Sequence, residues 1–267
     1  MTELISSPAN ALPKRFRALA DKKNRVREQA FVVEGMQPVW RAAESGWAVD
    51  VLAVSPTVMQ ERVVSQMADR LAKTGTRVVT MSGEIFNRLS DRDGPSGVMA
   101  IVRSETTPLR HVKPGTDDVW IVLHRVHNPG NLGTILRTAD ATGCAGVILS
   151  GDSTDPFAPN AVKSSMGSVF AVPLVIEPEF DVILSWAQAN GVQLVGTSGA
   201  ATKTHWQVTW QRPMALVLGN EGDGLPRRMM DQLDTTVRIP MTGTAESLNL
   251  GIAAGVLMYE VQRDRLV

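Results

Sequence analysis

The sequence predicts an α/β protein with two domains, and three observations lead to this prediction. Short runs of apolar and β-branched residues alternate with helical segments in both halves of the chain, as in sheets that are covered by helices. A polar stretch containing two prolines and a glycine separates the halves, at 104–118. A chain of 267 residues is long for one domain and comfortable for two. We therefore predict a first domain over 1–105, a linker over 106–117 and a second domain over 118–267.

The first half predicts a small α/β domain. The run FVVEG ends at Gly35, and a helical stretch follows it through Trp40 and Ala43. Three further runs are short, β-branched and bounded by Gly, Ser, Pro or Asp, which is typical of buried strands. These runs are DVLAVS (50–55), TRVVTMS (76–82) and GVMAIVR (97–103), and a helical segment over about 57–73 separates the first two.

The second half begins a new alternation at Val119. The order is a strand VWIVLHRV, a helix NLGTILRTADATG and a strand GVILS. Three more apolar runs then predict strands: QLVGTS (193–198), MALVLG (214–219) and TTVRIP (235–240). No internal repeat and no low-complexity segment is present. The second half is therefore predicted as a separate α/β domain.

Composition restricts the class of protein and its compartment. Hydrophobic residues make up 43% and charged residues 20%, which fits a globular protein with a real core. No apolar run approaches the ~20 residues of a membrane span. The single cysteine, Cys144, excludes an internal disulfide and favours the reducing cytoplasm. Because 27 basic residues balance 27 acidic ones, any binding of nucleic acid must come from local patches.

One such patch lies near the start of the chain, where basic residues crowd a short stretch that only Asp21 opposes. The stretch contains Lys14, Arg15, Arg17, Lys22, Lys23, Arg25 and Arg27. Clustered cations of this kind form either a solvated helix face or a surface that releases counterions from an RNA backbone. If the second domain acts on RNA, the second interpretation is favoured, and RNA contacts are then predicted from Lys22, Lys23, Arg25 and Arg27.

The motif HNPGNLGTILRTADATG at 127–143 predicts a helix with two distinct faces. Asn128 and Pro129 are typical of a helix start, and apolar residues from Leu132 to Ala139 follow the helical period of a core stripe. The other face carries Gly130, Gly133, Thr134 and Arg137. Two glycines lower helix stability by roughly 1 kcal/mol each relative to alanine. This face therefore either packs tightly beside a surface arginine or approaches a ligand.

Two further motifs lie near the end of the chain. GNEGDG at 219–224 follows an apolar strand, and its glycines allow either an ordinary turn or a close approach of backbone to a ligand. The strand ending at Ile239 is followed by a loop that runs to Ser247 and then by a helix from about Leu248. Small residues at Gly251, Ala254 and Gly255 recur on that helix, which favours close packing against another helix of this chain or of a second copy.

In this order, the three motifs resemble the SpoU/TrmH branch of the SPOUT RNA 2′-O-ribose methyltransferases, over about the last 150 residues. The stretch KNRVREQAFVVEG is similar to the L30e-like substrate-binding domain that precedes the catalytic domain in many ribosomal-RNA members. The resemblance implies a parallel sheet with a C-terminal trefoil knot, S-adenosylmethionine as cofactor and a homodimer. The dimer contact is expected at the small-residue face of the last helix.

The resemblance also implies roles for particular residues. The catalytic residues would be Asn131, Arg137, Glu221, Ser247 and Asn249. The cofactor-binding residues would be Thr197, Leu218, Gly219, Ile239, Met241 and Leu248. The stretch 155–173 resembles another family segment, from which the serines and Lys163 would contact RNA or the partner subunit, with Lys163 assigned to RNA. The chain departs from the family at His124 and Asn128, where aspartate is common.

The chemistry that follows is methyl transfer to a ribose 2′-hydroxyl, with no metal required because the cofactor carries an activated leaving group. A guanidinium is always charged in proteins, so we predict that Arg137 binds the neighbouring phosphate and lowers the pKa of the hydroxyl rather than acting as a base. The expected substrate is ribosomal RNA, most simply 23S rRNA. A tRNA methyltransferase and a non-catalytic RNA-binding protein are the alternatives, and the second would be expected to lack Asn131, Arg137 or Asn249.

Overall fold

The computed structural model describes residues 3–90, 94 and 96–265 and divides into two compact units. The first unit is Met1–Glu105 together with Phe157–Phe170, and the second is Thr106–Pro156 with Ala171–Val267. The sequence and the structure both place a domain boundary near 105. The structure also assigns a second, later segment of the chain to the first unit. Residues 157–170, assigned in sequence to the second domain, pack with the first unit.

The first unit alternates strands and helices as the sequence predicts. Its elements are β1 (Glu3–Ile5), α1 (Ala11–Ala18), α2 (Lys22–Glu28), β2 (Ala30–Glu34), α3 (Met36–Glu44), β3 (Val49–Val54), α4 (Arg62–Lys73), β4 (Arg77–Met81), α5 (Gly83–Leu89) and β5 (Val98–Arg103). The sheet order is β1-β4-β3-β5-β2. β1, β4 and β3 run parallel, whereas β5 is antiparallel to both β3 and β2. The core includes Phe16, Ile85 and Phe86, which are nearly inaccessible to solvent.

The second half of the chain contains β6 (Val119–His124), α6 (Pro129–Ala141), β7 (Gly146–Ser150), α7 (Pro159–Ser165), β8 (Leu174–Ile176), α8 (Phe180–Asn190), β9 (Gln193–Thr197), β10 (Lys203–Thr204), β11 (Met214–Leu218), α9 (Arg227–Met230), β12 (Thr235–Arg238) and α10 (Leu250–Val261). Of these, α7 belongs to the first unit. The seven strands of this half form a sheet of order β10-β12-β9-β11-β6-β7-β8 in which every pairing is parallel. The predicted α/β class and parallel sheet are confirmed.

The central strands β6, β7 and β11 are buried at every position. Continuous apolar runs of this kind are typical of parallel strands that are covered on both faces. Because all the strands run in one direction, their carboxyl ends meet at one edge of the sheet. The loops after β6, β9, β11 and β12 leave from that edge, and they carry the motifs singled out in the sequence.

The small-residue face of α10 packs against α6 of the same chain. A Cβ atom added at Gly251 would lie 3.2 Å from the Cγ2 atom of Thr134, and one at Gly255 would lie 3.8 Å from Cγ2 of Thr138. The hydroxyls of Thr134 and Thr138 donate to carbonyls one turn back on α6, which leaves their methyl groups toward α10. The prediction that this face makes the dimer contact is therefore wrong, because α6 already covers it.

Candidate active site

The first motif forms the N-terminal turn of α6, and Asn128 shapes it. Its Oδ1 atom accepts hydrogen bonds from the backbone N–H groups of Gly130 (2.8 Å) and Asn131 (3.2 Å), which have no partner inside the helix. Pro129 occupies the first helical position, where a missing N–H costs nothing. The cap fixes the position of the Asn131 backbone, from which its side chain projects. Asn131 is buried despite being polar, with 9% of its surface exposed.

The carboxylate of Glu221, from the glycine-rich loop after β11, collects three donors from the first motif. Its Oε1 atom accepts from the Asn128 backbone N–H and from Nδ2 of Asn131, both at 3.1 Å. Its Oε2 atom accepts from the backbone N–H of His127 at 3.2 Å. Burial raises the pKa of Glu221, but the hydrogen bonds from Asn131 and the backbone outweigh this and hold the pKa below its ordinary value. Glu221 is therefore a carboxylate whose donors come mainly from another motif.

Asn249 joins the third motif to the first. Its Nδ2 atom donates to Oδ1 of Asn131 at 3.0 Å, while its Oδ1 atom caps α10 by accepting from the backbone N–H of Gly251 at 2.9 Å. The two helix starts are thus linked by one amide pair. Glu221, Asn131 and Asn249 form a continuous chain of hydrogen bonds that connects all three motifs, and we call these three residues the amide–carboxylate network.

A cavity of about 530 Å³ opens beside this network, within the second unit. Its volume lies in the range of small-molecule and cofactor sites. Five of the six predicted cofactor-binding residues line it: Thr197, Gly219, Ile239, Met241 and Leu248. The sixth, Leu218, is 1% exposed at the end of β11 and does not line the cavity. Loops from the ends of β9, β11 and β12 therefore meet around one space.

Gly219 is required by the loop itself. A Cβ atom at this position would overlap the backbone of Gly224 and Leu225. The loop closes through two backbone hydrogen bonds between Asn220 and Gly224, of 3.2 Å and 3.0 Å, and φ of Gly224 is +67°. The tight turn thus explains the glycine, and the same closure presents the backbone of Gly219 to the cavity.

A second cavity, of about 560 Å³, adjoins the first and is more open to solvent. The amide–carboxylate network lines it together with His127 and Asn128, and Glu221, Ser247 and Leu248 line both cavities. Ser247 is exposed at the junction. The arrangement offers one space enclosed by glycine-rich and apolar loops, and beside it a polar space edged by amides.

Arg137 does not reach either cavity within the chain. It lies two turns along α6, on an exposed face, and it makes no hydrogen bond or ion pair with the described residues. Four of the five predicted catalytic residues are therefore brought together, and the fifth is left outside the group. The helical period from Asn131 accounts for this, since a residue six positions on points away from it.

Sequence analysis missed Asn220, which holds the glycine-rich loop in place. Its Oδ1 atom accepts from the N–H groups of Gly222 (2.7 Å) and Asp223 (3.2 Å), and its Nδ2 atom donates to the Arg125 carbonyl at 3.0 Å. The Nδ2 atom also lies 3.2 Å from Nδ1 of His127. An asparagine two residues before a glycine is a signal of such an Asx turn, and it could have identified this residue.

The position where the family commonly has aspartate, His124, lies at the end of β6. It is buried, with Nδ1 placed 3.2 Å from Oγ of Ser150. Burial lowers the pKa of His124, and the charge of Arg125 lowers it further. A neutral imidazole is therefore favoured here, and His124 is a structural residue beneath the site.

In the first unit, the structure corrects the prediction for Arg25. This side chain is 6% exposed, and its Nη1 atom donates to the carbonyls of Leu19 (3.0 Å) and Ala20 (2.6 Å) at the end of α1. It joins α2 to α1 and cannot also reach RNA. Lys22, Lys23 and Arg27 on α2 are exposed, as is Lys163 on α7, and their contact with RNA stays a prediction.

Over residues 3–90, 94 and 96–265, no group of three or more histidine, cysteine, aspartate or glutamate side chains could hold a metal ion. Over the same residues, no helix has both the length and the apolar character needed to cross a membrane.

The fold and the site define an α/β protein whose second unit has an all-parallel sheet, with an enclosed cavity and a polar cleft that meet at the carboxyl edge of that sheet. The chain belongs to the SpoU rRNA methylase family, whose model matches residues 118–259. A second model, described as an MRM3-like substrate-binding domain, matches residues 10–100. The predicted family is confirmed.

Individual relatives agree with this assignment. The chain is 33% identical over 264 residues to an uncharacterised tRNA/rRNA methyltransferase of Synechocystis sp., covering 98% of this chain and 94% of the relative. It is 32% identical to the 23S rRNA (uridine(2479)-2′-O)-methyltransferase of Streptomyces viridochromogenes, covering 96% and 91%. The crystal structure of an AdoMet-bound rRNA methyltransferase from Sinorhizobium meliloti superimposes with a TM-score of 0.92 at 36% identity, covering 100% of this chain and 99% of that one. The cofactor predicted from the motifs is the one held by that solved relative.

Proposed function

We propose that this protein transfers a methyl group from S-adenosylmethionine to the 2′-hydroxyl of a ribose in ribosomal RNA, and specifically in 23S rRNA. The observation that carries the proposal is the amide–carboxylate network, which ties the three motifs together where two cavities meet. The name of the Streptomyces relative, a 23S rRNA 2′-O-methyltransferase, supports the substrate and the position of attack.

The cavity of about 530 Å³ fits the cofactor. Thr197, Gly219, Ile239, Met241 and Leu248 line it, so an adenosine-sized group would meet the ends of three strands and the apolar side chains of the loop after β12. Leu218, the last residue of β11, is 1% exposed and does not line the cavity, so we do not assign it a contact with the cofactor. When bound, S-adenosylmethionine supplies the activated methyl group. The chain itself then has to hold the ribose so that its 2′-hydroxyl, and no other hydroxyl, is aligned with the methyl group.

The side chains of the second cavity perform that positioning. Asn131 is held by Glu221 and by Asn249, and Asn249 is held by Asn131 and by the start of α10, so both rotamers are fixed before any substrate arrives. Ser247 lies at the junction of the cavities and adds an exposed hydroxyl that can contact the nucleotide. Glu221 acts as a positioning residue, since its carboxylate oxygens are already hydrogen-bonded to the first motif.

Arg137 is proposed as the cation that binds the phosphate next to the target ribose. A nearby positive charge stabilises an alkoxide and lowers the pKa of the 2′-hydroxyl, which promotes loss of its proton. Because Arg137 lines neither cavity of its own chain, we propose that a second copy brings it to the site. The outward face of α10 offers a contact for that copy, since Ile252, Val256 and Tyr259 are 57%, 39% and 52% exposed at helical spacing.

We further propose a homodimer through this face, a trefoil knot formed by the segment after β12, and a cytoplasmic location. Membership of the SpoU family supports the knot, since the resemblance to that family is what implies it. An experimental structure that traces 239–249 outside any loop of the second unit would contradict it. The single cysteine supports the location.

The first unit is proposed to bind the RNA substrate, supported by the match of residues 10–100 to a substrate-binding domain. A tRNA substrate is the second candidate, since one relative's name includes both classes of RNA. A non-catalytic role is disfavoured because Asn131, Arg137 and Asn249 are all present.

The deciding experiment incubates the protein with labelled S-adenosylmethionine and either a 23S rRNA transcript or a pool of unmodified tRNA, and maps ribose methylation. Label in 23S rRNA at one 2′-oxygen is the expected result. Label confined to tRNA would move the substrate to the second candidate, and label in neither RNA, with cofactor bound, would contradict methyl transfer to these substrates.

A further inference from the structure

A cleft in the first unit brings together two sequence segments that lie far apart in the chain. It has a volume of about 200 Å³ and lies between α1, α5, the sheet and α7. Its floor is apolar and includes Phe16, Val32, Leu89 and Met99. Phe16 and Met99 belong to the core of the unit, so the floor is a rigid surface. The space suits one planar ring and is too small for a base pair.

The rim of the cleft is positively charged. Arg17 from α1 and Lys163 from α7 both line it, both are exposed, and neither makes a hydrogen bond or ion pair that involves the described residues. A third cation, Arg88, lines it while pairing with Glu84 one turn back, at 2.7 Å. Arg17 comes from the basic stretch of the N-terminus and Lys163 from the segment 157–170, so the fold places cations of both predicted RNA-binding segments around one apolar floor.

We propose that this cleft takes one unstacked nucleotide of single-stranded RNA, with the base on the apolar floor and the flanking phosphates on Arg17 and Lys163. An apolar surface rimmed by cations matches a nucleotide, which is an apolar ring between two anions. Glu34 also lines the cleft. Its Oε1 atom already accepts a hydrogen bond from Oγ of Ser90 at 2.6 Å, and its negative charge disfavours a phosphate on the floor and favours the amino edge of a base such as cytosine.

Other occupants fit less well. An RNA duplex presents its phosphates to the rim but keeps its bases stacked, so the floor would stay uncovered. An apolar peptide would cover the floor and leave two cations without partners. The proposal rests on the RNA substrate proposed above, and it concerns recognition alone, so it can be tested without methyl transfer.

The test measures binding of the full chain to labelled hexacytidylate, to the same strand with one central base removed, and to a blunt RNA duplex. We expect hexacytidylate to bind at least about fivefold more tightly than the abasic strand, since an unstacked base on an apolar surface contributes this much. The double variant Arg17→Ala/Lys163→Ala should weaken hexacytidylate binding by about tenfold at low salt. It should also flatten the slope of log affinity against log salt by at most about 1.4, or 0.7 for each phosphate that is no longer neutralised.

A matched control separates the cleft from general charge. Arg62 and Lys73 lie on α4, are exposed and do not line the cleft, so Arg62→Ala/Lys73→Ala removes the same charge elsewhere in the unit. This control should bind hexacytidylate within about twofold of the wild type. A second variant, Leu89→Gln, keeps the volume of a half-buried side chain but makes the floor polar. It should abolish the preference for the strand with the intact base while leaving the salt slope unchanged.

Three outcomes would overturn the proposal. The first is equal binding of the intact and abasic strands by the wild type. The second is an equal loss of hexacytidylate affinity in the cleft variant and in the α4 control. The third is a loss of duplex affinity in the cleft variant as large as its loss of single-strand affinity. Failure of the proposed function is distinguishable, because a protein that methylates no RNA could still bind hexacytidylate in the cleft. In an active enzyme, the Arg17→Ala/Lys163→Ala variant should raise KM for RNA and leave kcat unchanged.

Discussion

The N-terminal turns and the outward faces of the same pair of helices are built differently. The N-terminal turns of α6 and α10 are tied together, since Asn128 and Asn249 cap the helices and Asn131 bridges Glu221 to Asn249. The outward faces of the same helices leave Arg137 exposed without a partner among the described residues, and leave the apolar side chains of Ile252 and Tyr259 in solvent. The N-terminal turns are complete within a single chain, whereas the outward faces lack a covering surface among the described residues.

The difference separates two tasks of the proposed reaction. Positioning of the ribose needs fixed rotamers, which a hydrogen-bonded network provides in advance. Charge stabilisation at the phosphate needs a cation free to meet the substrate, and a side chain already paired within the chain would first have to be released. Variants in the N-terminal turns and on the outward faces test this division, from the largest expected effect to the smallest.

Arg137→Ala should lower methyl transfer by about a hundred- to a thousandfold, the scale of losing one charge-stabilising donor. Affinity for S-adenosylmethionine, measured by calorimetry, should be unchanged because Arg137 does not line the cavity that is proposed to bind the cofactor. Arg137→Lys should also be poor, since an ammonium cannot hold a phosphate in a bidentate manner. Arg227→Ala, at another exposed arginine of the second unit, is the control and should stay active. A lysine variant with near-normal rates would contradict the phosphate role.

Mixed dimers test whether Arg137 acts across subunits. The Arg137→Ala chain is combined with an Asn249→Ser chain, in which serine keeps the helix cap but removes the amide that contacts Asn131. If Arg137 serves the partner's cavity, heterodimers purified through two different tags recover one intact site each. If it serves its own cavity, both sites of the heterodimer are defective, and the mixture stays inactive.

Ile252→Asp should give a monomer with nearly the same loss of activity, because a carboxylate would be desolvated in the proposed interface. Light scattering and cofactor titration should reveal a folded monomer that still binds S-adenosylmethionine. Val182→Asp, on an exposed position of α8, is the matched control and should stay a dimer. An Ile252→Asp protein that remains dimeric would place the interface elsewhere.

Gly255→Leu has a different expected result, because Gly255 faces Thr138 of the same chain. The larger side chain should force α6 and α10 apart and lower stability by about 1–3 kcal/mol, the usual cost of overpacking. Urea denaturation measures this directly. A variant with unchanged stability and loss of dimer alone would restore the original interpretation of the small-residue face.

The smallest effect concerns the pH dependence of the network. Because the pKa of Glu221 is held below its ordinary value of 4.5, its contribution to stability is fully present above that value and is lost as the pH falls through the lowered pKa. The side chain is exposed, so the contribution should be below about 1 kcal/mol. Wild type and Glu221→Gln should differ in unfolding free energy near neutral pH and converge in acid. A difference that grows toward low pH would contradict the sign.

The local pattern of the sequence was enough for much of this protein. Periodicity located nine strands, namely β2 to β7, β9, β11 and β12, and the helices α3, α4, α6 and α10, since both periods depend on which residues are apolar. It did not single out the short strands β8 and β10 or the helices α5, α7, α8 and α9. Asn128 followed by Pro129 identified the start of α6, and the glycines of 219–224 identified a closed loop. The parallel sheet then brought these loops to one edge, because every strand runs in the same direction.

Other features depended on which distant surfaces met in the folded chain. Arg25 has the sequence neighbours of a surface cation, yet the end of α1 buries it. Gly255 faces Thr138 because α6 lies against α10. The periodicity of α10 identified its small-residue face but could not indicate which surface packs against it. Residues 157–170 join the first unit, where Phe157 and Phe170 pack on Phe31 with ring centroids 4.7 Å and 6.0 Å away. Sequence determined the elements and the residues of the motifs, whereas tertiary packing decided which of their faces remained free, because burial depends on contacts between residues far apart in the chain.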